Sequence, residues 1–126
     1  MISGEMETLG TVVNANAAVC SIFGRTSTEL VGSNVNIVIP EPYGSIHGSY
    51  LQGFLEKGTS KVMDKIRYIF ALHKNGYIVP IALLPKKVPR DMGKIAFLGV
   101  ISEVKTDDHY CFVDPNTGII TRYGFK

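Results

Sequence analysis

Apolar positions along the chain change period from segment to segment. Residues 65–72 and 77–84 are β-branched, aromatic and aliphatic, and Lys74-Asn75-Gly76 between them carries a tight-turn signal, so two antiparallel strands are predicted. A third run, 95–104, follows the loop at 89–94 and is expected to pair with the second strand. Upstream, Gly10 precedes the β-prone Thr11-Val12-Val13, and Asn14 is placed to cap a helix over 15–23 that Gly24 stops. Thr26-Ser27-Thr28-Glu29 has the spacing of a capping box, and Pro40 and Pro42 end whatever Asn36-Ile37-Val38-Ile39 forms. Residues 43–57 carry the one helical stripe. At about 100° per residue from Ile46, the side chains of Tyr50, Phe54, His47, Leu51 and Leu55 fall between about 40° and 180°, with His47 mid-arc.

The first long strand has a second consequence. Its even positions from Ile66 to Leu72 are all apolar, and its odd ones place Ile69 and Ala71 beside Arg67, so neither face alternates cleanly to polar. Both faces need cover. A second chain, a flanking helix or the C-terminal tail is expected over the outer one, and self-association through Tyr68, Phe70, Ile78 and Leu84 follows as a homodimer expectation. The tail itself reads as strand, turn, strand through Tyr110-Cys111-Phe112-Val113, Asp114-Pro115-Asn116-Thr117-Gly118 and Ile119-Ile120-Thr121. It half-repeats the opening, since Thr8-Leu9-Gly10-Thr11-Val12 faces Asn116-Thr117-Gly118-Ile119-Ile120 when the two are aligned. Residues 106–126 are thus either a linker or the truncated start of a following unit. Phe112, Val113, Ile119 and Ile120 are expected to complete a sheet edge or cover an apolar face.

Composition narrows the function class. With 126 residues, 45% of them hydrophobic, one globular core is expected. A formal charge of +2 gives no general grip on nucleic acid, and the run Lys86, Lys87, Arg90, Lys94 reads as a solvated loop. Two cysteines, Cys20 and Cys111, make neither a disulfide scaffold nor a thiolate zinc site, which fits a reducing, cytoplasmic setting. No run approaches the ~18 apolar residues of a membrane span, so direct membrane insertion is not expected of this segment. The segment Gly53-Phe54-Leu55-Glu56-Lys57-Gly58-Thr59-Ser60 has phosphate-loop glycine spacing, but Thr59 stands where lysine is required and the segment follows a helix instead of opening one. A Gly-x-Ser-x-Gly elbow is absent, and His47, His73 and His109 lack helical-spacing partners, so no enzyme is expected.

The ordered series Asn14 to Phe23-Gly24, Glu29-Leu30-Val31-Gly32, Asn34-Val35-Asn36-Ile37, Ile39-Pro40-Glu41-Pro42, Lys74-Asn75-Gly76 and Pro80 resembles a PAS domain of the S-box type. The resemblance implies an α+β fold over residues 1–105, with a five-stranded antiparallel sheet and short helices and one longer helix on one face. The first strand would come from residues 1–4. It further implies a sensory or regulatory module of a larger intracellular signalling protein, in contact with that protein's other domains. The segment from Pro40 to Leu51 is similar to FixL-type haem sensors and also to tiny-macrocysts-like PAS domains, for which haem is not implied. The first likeness implies haem-based oxygen or redox sensing, with His47 as the metal ligand and Arg67 on the distal side. Leu51 belongs to the same binding set, and the porphyrin would lie against Ile69, Ile81, Leu83 and Phe97. The alternative is a ligand-free interaction and dimerisation domain in which His47 is a core histidine and Arg67 snorkels outward or pairs with Glu41 or Asp64.

Overall fold

The computed structural model describes residues 1–41, 43–57, 63–106, 108 and 110–124, and the side chains among them except those of Ser45, Ile46, Tyr50, Phe54, Leu55, Lys57, Ile120 and Tyr123. Strand β1 (Ile2–Ser3) opens the chain, followed by helices α1 (Ala17–Phe23), α2 (Ser27–Leu30) and α3 (Tyr43–Lys57). Strands β2 (Arg67–Leu72), β3 (Ile78–Pro89) and β4 (Ile95–Glu103) then form a meander, and β5 (Tyr110–Val113) and β6 (Ile120–Gly124) form a hairpin of their own. The fold is an antiparallel sheet of order β1-β4-β3-β2 with helices against one face.

Among the described residues the sheet has four strands, not the expected five. Thr11 and Val12, the fifth strand's residues, form only isolated bridges, Ile2 to Val12 and Thr11 to Asn34. Their backbone groups are divided between two partners. Ser3 N–H donates to the Thr11 carbonyl and Val13 N–H to the Met1 carbonyl on one side, and Val12 donates to Ser33 and accepts from Gly32 on the other, but β1 is two residues long and 32–34 is a turn, so the pairing on each side stops at a single bridge. Helix α1 also starts later than its sequence signal, capped by the Asn16 side chain accepting from Val19 N–H at 3.0 Å. Asn14 is held instead by Met1, whose ammonium donates to the Asn14 carbonyl at 2.7 Å. The capping box is present as read: Thr26 accepts from Glu29 N–H, and the Glu29 carboxylate accepts from Thr26 N–H.

Register assigns the two faces. Arg67 lies opposite Leu83, Ile69 opposite Ile81 and Ala71 opposite Val79, so these six share the helix-facing side, joined on β4 by Phe97 and Ile101. Ala71, Val79 and Ile81 pack with Val12, Phe23, Leu30 and Val38 in the main core, and Cys20 lies at its margin. Tyr68, Phe70, Ile78 and Leu84 lie on the outer side, as the alternation requires.

That outer face is not uniformly open. Ile78 is buried, and Phe70 meets Tyr110 and Phe112 of the C-terminal hairpin at ring-centroid distances of 5.1 and 5.4 Å. The tail therefore takes the second of its two expected places, an apolar face, and among the described residues β5 and β6 share no ladder with the main sheet of the same chain. Geometry explains the choice. The chain leaves β4 at Glu103, opposite Ile81, while β1 borders β4 at Ala96 and Phe97, about 20 Å away along the strand.

Candidate functional site

Each proposed pocket residue can be placed. Leu51, on the buried side of α3, packs directly on Phe97 in a second apolar cluster with Ile2, Leu9, Met63 and Ile95 at its border. His47, one turn earlier on α3, is half-buried, and burial holds its imidazole below the ordinary histidine pKa and so in the neutral form at neutral pH. Ile81 and Phe97 are closed over, at 3% and 4% exposure, and Leu83 is half-buried between the two clusters. These residues are brought to one side of the sheet as expected. Arg67 and Ile69 depart from the expectation. Both are exposed at the start of β2, where residues 65–69 line an open depression of about 390 Å³. Asp64, one suggested partner for Arg67, lies 3.8 Å from Lys86.

Sequence reasoning missed Leu9 and Met63, which sit in connecting segments and carry no periodic signal, yet border the Leu51–Phe97 contact. It also missed Gly99. A methyl group there would stand 3.2 Å from Leu83 Cδ1, so the glycine lets Leu83 occupy the strip of sheet between the clusters. A single glycine inside an apolar strand was the available signal. Among the described residues no group of three or more His, Cys, Asp or Glu side chains gathers into a metal site.

Residues 8–104 match the family model described as the PAS fold. The chain belongs to the PAS family. It is a sensory domain of that family, and it spans a small share of the longer relative that it matches. Over 112 residues it is 36% identical to a probable serine/threonine-protein kinase of Dictyostelium discoideum, covering 89% of this chain and 7% of that protein. A light-oxygen-voltage domain studied with a flavin analogue superposes with a TM-score of 0.57 at 21% identity, covering 77% of this PAS chain and 70% of the other. The PAS domain of an HTR-like protein from Haloarcula marismortui superposes at 0.53 and 19% identity, covering 82% and 77%. At those identities the two structures speak for the fold alone. No helix of the described residues is long and apolar enough to cross a membrane.

Proposed function

We propose that this PAS domain is the regulatory module of a larger cytoplasmic signalling protein with a kinase-type output, and that it works through protein contacts without a resident cofactor. The similarity to a small part of a probable serine/threonine-protein kinase carries the first half of this reading. The packing of Leu51 on Phe97 supports the second, since these two side chains occupy part of the ground between α3 and the sheet that a ligand would need. The outer face supplies the contact surface: Tyr68 is 78% exposed and Val100 50%, with Leu84 half-buried between their strands. A homodimer through that face is the proposed assembly.

Haem-based sensing is the competing reading. His47 supplies one neutral imidazole from the inner side of α3, the residue type an axial ligand needs. As packed, however, the contacts of Leu51, Ile81 and Phe97 do not fit a porphyrin, and Arg67 is at the open rim, not over an enclosed distal side. Two measurements decide. Protein purified from haem-supplemented cells is expected to show no Soret band, and a band lost in His47→Ala would overturn the cofactor-free reading. Light scattering is expected to give a dimer mass that falls to the monomer in Tyr68→Glu; a monomer at high concentration in the parent sequence would sink the proposed assembly.

A further inference from the structure

The opening of the chain and the C-terminal hairpin are one backbone device used twice. Ser3 N–H donates to the Thr11 carbonyl at 2.8 Å, and Gly10 N–H returns to the Ser3 carbonyl at 3.1 Å. In the tail, Asp114 N–H donates to the Ile119 carbonyl at 2.9 Å, and Gly118 N–H returns to the Asp114 carbonyl at 2.7 Å. Both glycines are left-handed, with φ of 81° and 72°. In both, the residue before the turn accepts from the amide two positions on: Ser3 Oγ from Glu5 at 3.1 Å, Asp114 Oδ1 from Asn116 at 2.8 Å. Register continues the match, with Ile2 opposite Val12 and Val113 opposite Ile120. The intervening loop differs, spanning 4–9 in the first and 115–117 in the second, and the tail adds a bulge between Phe112 and Val113 that sets Phe112 opposite Arg122.

Cover distinguishes the copies. Ile2 is half-buried and flanked by Phe97 on its other side, whereas its counterpart Val113 is 50% exposed; Thr11 is half-buried, whereas its counterpart Ile119 is 63% exposed. Two strands alone are marginal in water. Among the described residues the hairpin rests on the first domain through an aromatic patch, Tyr110 and Phe112 on Phe70 with Phe112 edge-on to Tyr43 at 6.4 Å, and through Gly124 beside the Ile78 carbonyl.

We propose that residues 110–124 are the opening hairpin of a second PAS unit downstream in the parent protein, and that the Phe70, Tyr110 and Phe112 patch is the junction between the two units. The second unit covers Val113 and Ile119 as the first covers Ile2 and Thr11. This is independent of what the first unit senses. Hydrogen exchange on residues 1–126 and on the full-length parent protein, each with and without Phe70→Ala, tests it. In the short chain the substitution is expected to release the amides of 111–118. In the full-length protein they are expected to stay slower by about tenfold or more. Equal release in both overturns the proposal, as do unprotected rates throughout the residues after 126. If Phe70→Ala also releases 78–84, Val113→Asp replaces it. That variant is expected to leave the melting of the short chain unchanged and to lower that of the full-length protein, and no change in either is again a refutation.

Discussion

Gly24→Ala strikes the point where the β2–β3 turn docks on the helices. Gly24 ends α1 in a left-handed conformation, φ 67°, and a methyl group on it would collide with the His73 imidazole. His73 in turn stacks on Tyr77, ring centroids 4.2 Å apart, and the neighbouring Lys74 N–H donates to the Phe23 carbonyl at 3.0 Å. Holding alanine in that backbone region costs about 1 kcal/mol, and displacing His73 from its stack adds about 1 kcal/mol. The sum is about 2 kcal/mol, which for a chain of this size lowers Tm by about 8 °C. Circular dichroism melts of the two single variants and the double variant with His73→Ala separate the two terms. Without the imidazole the alanine is expected to cost only the backbone share, about 1 kcal/mol. A Gly24→Ala cost that is the same in both backgrounds refutes the docking contact, and a shift within the error of the melt refutes the backbone term as well.

Phe97→Ala is expected to cost about 3–5 kcal/mol by opening a cavity beneath Leu51, while Val100→Ala on the exposed face stays within about 0.5 kcal/mol; urea titration distinguishes them. Because burial lowers the folded pKa of His47, the unfolded chain binds the extra proton first, and stability falls as pH drops below about 6.5 toward the folded value. Denaturation at pH 7.5 and 5.5 is expected to show a smaller pH difference in His47→Leu than in the parent chain, and equal differences would contradict the burial of His47. Thr26→Ala removes the acceptor for Glu29 N–H and is expected to cost about 1 kcal/mol in a thermal melt.

Local signals in the sequence determined the backbone grammar of this PAS domain. The Asn-Gly turn, the Thr26–Glu29 box and the Gly24 stop each depend on residues within a turn or two of one another, and each stands where its spacing put it. Period-two alternation likewise brought Ile69, Ile81, Leu83 and Phe97 to one face, and the motif series carried the family. Tertiary structure decided the rest. Whether Thr11 and Val12 form a fifth strand depended on how far their two neighbours, β1 and the turn at 32–34, run alongside them, and neither segment gives a local sign of that length. What packs around Leu51 under α3 depended on Phe97 and on Leu9 and Met63 arriving from distant loops. Exposure of Arg67 follows from its place at the outer end of an edge strand, and the tail's resting place follows from the end of β4 at which the chain departs. These outcomes turn on volumes and hydrogen-bond partners supplied by residues far apart in the chain, which a pattern read along it does not encode.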